Sequence, residues 1–159
     1  MYKIGHYGAA LLCYAPVGVV VSLVFGSEIA VFLGVGTVAL CRIPDYDLRI
    51  PFVSHRGVTH TLLFLLVVTA ALAVGGLFVA DVLGTDPLST AGLGAVVGVV
   101  AIGSHLAADV ITPAGIPLLW PLSDRSYSLG VVTASNTIAN YGLLLSGTAA
   151  VAVAFVILG

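Results

Sequence analysis

Charge is what this sequence of 159 residues has least of. Lys, Arg, Asp and Glu make up 8% of it, where a soluble domain carries roughly 25%. There is one lysine, Lys3, and one glutamate, Glu28. A globule of this size needs more polar surface than that to face water. The shortage excludes a soluble monomer and a disordered chain. Five basic residues against seven acidic ones leave no electrostatic footprint for a phosphate backbone, so no nucleic-acid surface is expected. Cysteine is scarce too. Cys13 and Cys41 make no CxxC and no disulfide framework, and both read as small core residues. HExxH and GxSxG are absent, so zincin proteolysis and serine hydrolysis lack their signatures.

What the sequence does have is apolar residues, 60% of the chain, gathered in runs. A membrane span needs about 20 mostly apolar residues. Five runs qualify as candidates: Tyr7 to Phe25, Glu28 to Cys41, His60 to Ala80, Thr90 to Ile111, and Thr137 to Leu158. The second is short and Gly-rich, and reads as a full span or as a tilted, half-buried helix. Lys3 ahead of the first run mimics a signal peptide. No convincing small-residue cleavage site follows it, and a retained helix is expected. The expected fold class is an all-α integral membrane protein. It is a small bundle of about five transmembrane helices, one polytopic domain over residues 1–159.

Five spans put the connections alternately on two sides. The N-terminus and the loops 42–59 and 112–136 share one side. The turn near Ser27, the loop 81–89 and the C-terminus share the other. All five basic residues, Lys3, Arg42, Arg49, Arg56 and Arg125, fall on the first side. Glu28, Asp81 and Asp86 fall on the second. By the positive-inside rule the first side is cytoplasmic and the C-terminus is outside. The 112–136 loop carries Pro113, Pro117 and Pro121, with Trp120 and Tyr127. It reads either as an interfacial connector or as a wall over a site.

The four histidines, His6, His55, His60 and His105, all lie at that same side, together with Asp45, Asp47 and Asp109. Ionisable groups at membrane depth are expensive and mark function. His105 and Asp109 are four residues apart, on one helix face. The pair suits a shared metal ion, or simply a carboxylate anchoring the imidazole. In Pro44-Asp45-Tyr46-Asp47 a proline ends the helix and two hard oxygen donors follow on a loop. A solvated turn or an N-cap would use them too. In His55-Arg56-Gly57-Val58-Thr59-His60, Thr59 reads as the N-cap of the third helix. His60 then falls in its first turn, where the helix dipole keeps it neutral. Gly57 permits a tight turn between the two histidines. A basic interfacial loop with a snorkelling Arg56 is the plainer alternative. All three groups share one end of a small bundle, which favours a site near the cytoplasmic face.

PDYD, HRGVTH, then HLAAD followed by TPAG resemble, in this order, the YdjM-like family of predicted membrane-bound metal-dependent hydrolases. The resemblance runs from about His6 to Gly130, and HRGVTH is its specific part. It implies a polytopic helical protein of the prokaryotic cell membrane that uses a metal for hydrolysis. A more distant likeness is to the zinc phospholipase C and P1 nuclease group. There an N-terminal His, an Asp, a His and HxxxD supply metal ligands in that order. Here they fall on His6, Asp45 or Asp47, His60, His105 and Asp109. That group's later His ligands and HxxxE have no counterpart, since no His follows His105 and no Glu follows Glu28. One or two ions are therefore expected rather than three.

The expected activity is metal-dependent hydrolysis. The substrate class inferred is a membrane lipid or other amphiphilic phosphoester at the interface. His60, His105 and Asp109, with Asp45 or Asp47, are expected to hold zinc or manganese, and His6 to complete a second or shared site. Asp47, if unligated, or His55 would accept a proton, and Arg56 would steady charge on phosphate. A metal-ion or proton transporter and a non-catalytic protein braced by its His/Asp cluster are the rival readings.

Overall fold

The computed structural model describes residues 1–158. Five helices make up most of it: α1 (Lys3–Phe25), α2 (Ser27–Leu40), α3 (Leu62–Leu83), α4 (Pro87–Val110) and α5 (Thr137–Leu158). Two 3₁₀ turns, Ile43–Arg49 and Val58–His60, lie between α2 and α3. Among the described residues the extended pairing is limited to one bridge, Ile116 to Tyr127. The protein is thus an all-helical membrane protein, with five stretches long and apolar enough to cross a bilayer. The fourteen residues of α2 reach only about 21 Å, short of a hydrocarbon core of roughly 30 Å. The first 3₁₀ turn continues that stretch through Arg49 to 23 residues, and the residues it adds include Asp45, Asp47 and Arg49.

The connections at one end of the bundle are minimal. Gly26, at a φ of 95°, alone separates α1 from α2. Gly84 closes α3 in the left-handed region, and the Asp86 carboxylate accepts from the Ser89 N–H at 2.7 Å to cap α4, with Pro87 in the first turn. Hydrogen bonding from Ser89 holds the Asp86 carboxyl below its usual range. All the longer connections are at the other end, called here the polar end.

Packing is centred on α1 and α4. The most extensive contacts pair α1 with α5 and α3 with α4, and α2 rests on both α1 and α4. Small residues permit this closeness, as in other membrane bundles. A Cβ on Gly8 would strike the backbone of Leu143 and Leu144, and one on Gly147 would strike the Gly8 carbonyl.

Several local expectations are corrected. Helix α1 begins at Lys3, so His6 lies inside it rather than ahead of it. Cys13 is exposed, not a core residue, whereas Cys41 is buried. The face of α1 that buries His6 and Ala9 is covered only near the polar end. Farther along, Cys13, Pro16, Val20 and Val24 continue that stripe and are exposed. Thr61, not Thr59, caps α3 by accepting from the Phe64 N–H at 3.1 Å. His60 therefore precedes the helix, and the dipole argument does not reach it. Asp45 and Asp47 occupy an ordered 3₁₀ turn, not a free loop.

Candidate metal centre

Four separate pieces of chain deliver side chains to one point at the polar end. The second residue pair of α1 brings His6. The first 3₁₀ turn brings Asp45, the second brings His60, and the last turns of α4 bring His105 and Asp109. His6, His60, His105 and Asp109 are essentially inaccessible, and Asp45 is 12% exposed.

The donor atoms converge. His60 Nε2 and His105 Nε2 are 3.2 Å apart. Asp109 Oδ2 is 3.4 Å from the first and 3.5 Å from the second. Asp45 Oδ1 is 3.9 and 3.7 Å from the same two atoms. His6 stacks on His105 with ring centroids 3.9 Å apart. Its Nε2 lies 3.8 Å from Asp109 Oδ1 and 4.0 Å from Asp45 Oδ2. Ligands at about 2.0–2.2 Å around a tetrahedral ion stand roughly 3.3–3.6 Å from one another. The spacing of Asp109 from the His60 and His105 nitrogens is close to that, and Asp45 stands slightly farther off. The donors form two overlapping triads that share His105: His6, His105 and Asp109, and Asp45, His60 and His105. Both nitrogens of His6, and Nδ1 of His105, are buried without a hydrogen-bond partner. Each such orphan costs about 1–3 kcal/mol. Lone pairs of imidazoles and carboxylates pointed at a common centre repel unless a cation lies among them. Buried orphans, spacing and a mixed nitrogen and oxygen donor set all fit a divalent ion.

Asp47 takes the place behind this group. Its Oδ1 is 2.9 Å from His55 Nδ1, and its Oδ2 accepts from the Arg56 N–H at 3.1 Å and the Thr59 hydroxyl at 2.8 Å. His60 Nδ1 is 3.0 Å from Thr59 Oγ1. The Thr59 proton is committed to a carboxylate that can only accept, so His60 Nδ1 must be the donor. That tautomer leaves the Nε2 lone pair directed inward, as a metal ligand requires. Of the two aspartates the sequence left open, Asp45 faces the cluster and Asp47 orients it. Asp47, His55 and His60 are also close enough to hold an ion, but the hydrogen bonds just described already occupy their facing atoms.

Arg56 is likewise a support. Its Nη2 donates to Asp109 Oδ1 at 2.9 Å, and its Nη1 to Thr112 Oγ1 at 3.0 Å and the Gly115 carbonyl at 3.3 Å. The Met1 amino group is 2.7 Å from the same Asp109 oxygen. The left-handed residue of the turn is Arg56 itself, at a φ of 60°. Gly57 is needed instead for space, since a Cβ there would lie 2.8 Å from the Ser54 carbonyl. His55 is 40% exposed and is the accessible imidazole.

The 112–136 segment forms a wall. Leu129 and Val131 N–H groups bond the Val110 and Ile111 carbonyls, and Leu118 accepts from Leu62. Thr112 and Gly115 of this wall are two of the three acceptors of the Arg56 guanidinium. Sequence reasoning missed Thr59 as an orienting group, and it missed Asn140. The fully buried Asn140 accepts from the Tyr2 N–H at 3.0 Å and donates to the Ala134 and Asn136 carbonyls. It thereby ties the start of α1, which carries His6, to α5. It also missed Arg42, whose Nε lies 3.9 Å from Asp45 Oδ2. The i,i+3 spacing of Arg42 and Asp45 and the place of Thr59 inside HRGVTH were available signals, whereas nothing near Asn140 in the sequence marks it.

Comparison with known proteins bears on the whole chain. No solved structure matches it. The inner membrane protein YdjM of Escherichia coli K12 is 38% identical over 100 residues, covering 51% of this chain and 45% of that protein. The protein of the same name from Shigella flexneri matches equally. The matched stretch thus spans less than half the length of these curated relatives. The family described as YdjM inner membrane protein matches residues 1–158. The chain belongs to the YdjM inner membrane protein family.

Proposed function

We propose that the protein is a metal-dependent hydrolase of the cell membrane, with its site on the cytoplasmic side. The observation that carries this reading is two overlapping triads of buried imidazoles and carboxylates that share His105, with imidazole nitrogens left unpartnered. The orientation rests on the polar end holding every Lys and Arg of the chain.

His60, His105, Asp109 and Asp45 would hold zinc or manganese, and His6 would complete the same site or share a second ion. When bound, the ion supplies Lewis acidity and makes water a nucleophile near neutral pH. The chain's own residues do the rest. Asp47 and Thr59 hold His60 in the ligating tautomer. Arg56 holds Asp109 and is a positioning residue, because both of its terminal nitrogens donate to protein oxygens. His55 has its Nδ1 on the buried Asp47, and its side chain is partly exposed. An imidazole oriented in this way accepts a proton at Nε2, with Asp47 stabilising the resulting charge. The wall 112–136 shields the cluster from the side facing Asp109. A phosphoester is the favoured substrate, from the chemistry of a mixed His/Asp ion site at a membrane surface.

The test is elemental mass spectrometry of detergent-purified protein, wild type and His105→Ala. One or two zinc or manganese ions per chain, lost in the variant, are expected, followed by hydrolysis of a phosphodiester panel that needs the ion. Absence of bound metal after reconstitution with each ion would overturn the hydrolase and leave a braced helix bundle. Ion flux in vesicles without hydrolysis would favour a transporter.

A further inference from the structure

An apolar groove of about 710 Å³ runs between α1, α2 and α5. Leu11, Ala15, Val31, Val35, Val151 and Phe155 line it. Because all three helices are spans, its open side faces lipid. On α1 it reaches from Ser22 to Tyr7. That is sixteen residues, or about 22 Å, more than the roughly 15 Å of one leaflet's hydrocarbon. Its polar end is closed by Tyr7, the residue next to His6.

Arg42 is placed where the groove meets the cluster. Its guanidinium lies over the Tyr7 ring, 5.8 Å from the centroid. Its Nη1 is 3.4 Å from the Tyr7 hydroxyl oxygen, at the long limit of a hydrogen bond. Its Nε is buried and has no partner, and Asp45 is too distant, at 3.9 Å, to supply one. The contrast with Arg56, which has three oxygen acceptors within 3.3 Å, is informative. Arg56 is consumed by the fold. Arg42 carries five donors and uses them poorly, in a fork suited to phosphate. It is held between a slot for hydrocarbon and the carboxylate of Asp45.

We propose that this groove seats an acyl chain of a phospholipid and that Arg42 binds the lipid's phosphate, presenting the phosphoester to the cluster. The inference rests on the hydrolase reading for the presentation step only. Lipid diffusing in the leaflet enters the groove sideways, and one charged residue at its end sets how deep the headgroup sits.

The experiment uses vesicles containing the full chain and phosphatidylglycerol with a diazirine near the end of one acyl chain. Photolabelling and peptide mapping follow, with diazirine-labelled diacylglycerol as the phosphate-free control. Labels are expected on the α1, α2 and α5 lining. Arg42→Gln should reduce phosphatidylglycerol labelling at least tenfold and leave diacylglycerol labelling unchanged, and Arg42→Lys should restore part of it. Val35→Trp, at an exposed lining position, should reduce both. Metal content is measured on the same samples. Metal retained with labelling that ignores Arg42 and Val35 overturns the lipid seat and leaves the hydrolase standing. No metal in the wild type overturns the hydrolase and the presentation step together. Cross-linking of two copies through the groove in place of lipid labelling also overturns the proposal.

Discussion

The two ends of this bundle are built from the same five helices and solve different problems. At the end holding Gly26 and Gly84–Asp86, the chain turns with one residue and three, and every feature serves to end or start a helix. The residues there are mostly exposed and their polar groups meet solvent or a cap. At the polar end, His6, Asp47, His60, His105, Asp109 and Asn140 are all buried. Several nitrogens go without partners. A helix can be capped with far less. The surplus of buried His and Asp groups, each desolvated, is more than capping a helix requires and is what an ion site would need.

The comparison breaks if polar-end substitutions act only on stability, or if those at the other end affect the ion. The largest effect is expected from Asp109→Ala. It removes a donor from the buried cluster and leaves the half-buried Arg56 beside the wall without its charge partner. Loss of a buried partner typically costs about 3–5 kcal/mol. Metal content near zero and a markedly lower unfolding midpoint in detergent are the readouts.

Asp45 and Asp47 offer a sharper division within the polar end. Asp45→Asn should abolish or nearly abolish metal retention. Asp47→Asn should keep the ion but weaken its affinity by about 10–100-fold, the usual effect of removing an orienting partner of a ligating His. Titration with a competing chelator measures both. The reverse order would overturn the assignment of Asp45 to the inner face.

Away from the site, neighbouring glycines of α3 should behave oppositely. A Cβ on Gly76 would lie 2.5 Å from the Thr90 carbonyl, while one on Gly75 meets nothing within 4 Å. Gly76→Ala should destabilise by about 1–3 kcal/mol through overpacking. Gly75→Ala should stabilise by up to about 1 kcal/mol through helix propensity. Neither should change metal content.

The smallest effect is expected at Asp86. Asp86→Ala should lower the thermal midpoint slightly by removing the α4 cap, and Asp86→Asn should restore it. Because the folded carboxyl titrates below its usual range, the cap's contribution is complete above the ordinary carboxylate pKa. It is lost as pH falls through the lowered folded value. The difference between wild type and Asp86→Asn should therefore change only in acid.

Much of this protein is legible in its sequence. Apolar runs long enough to span are a property of local composition, so the five helices and the limits of the fifth, Thr137–Leu158, follow from the sequence. The grouping of His6, His60, His105 and Asp109 at one end follows from alternation of the spans. The i,i+4 placement of His105 and Asp109 follows from helix periodicity alone.

Contacts between distant segments decided the remainder. Asp45 and Asp47 stand two positions apart in a 3₁₀ turn of about three residues per turn, so they point in different directions. Which one meets His60 and His105 depends on how that turn packs against α4. The two arginines are chemically identical in the sequence. Arg56 is spent because Thr112 and Gly115 arrive from a wall more than fifty residues later. Arg42 is left underused because only Tyr7 meets it closely. Cys13 faces outward because nothing covers that side of α1 beyond its first turns. Composition and period determined which segments cross the membrane and which residues gather at one end. Side-chain direction, and hence each residue's partner, was determined by packing between segments far apart in the chain.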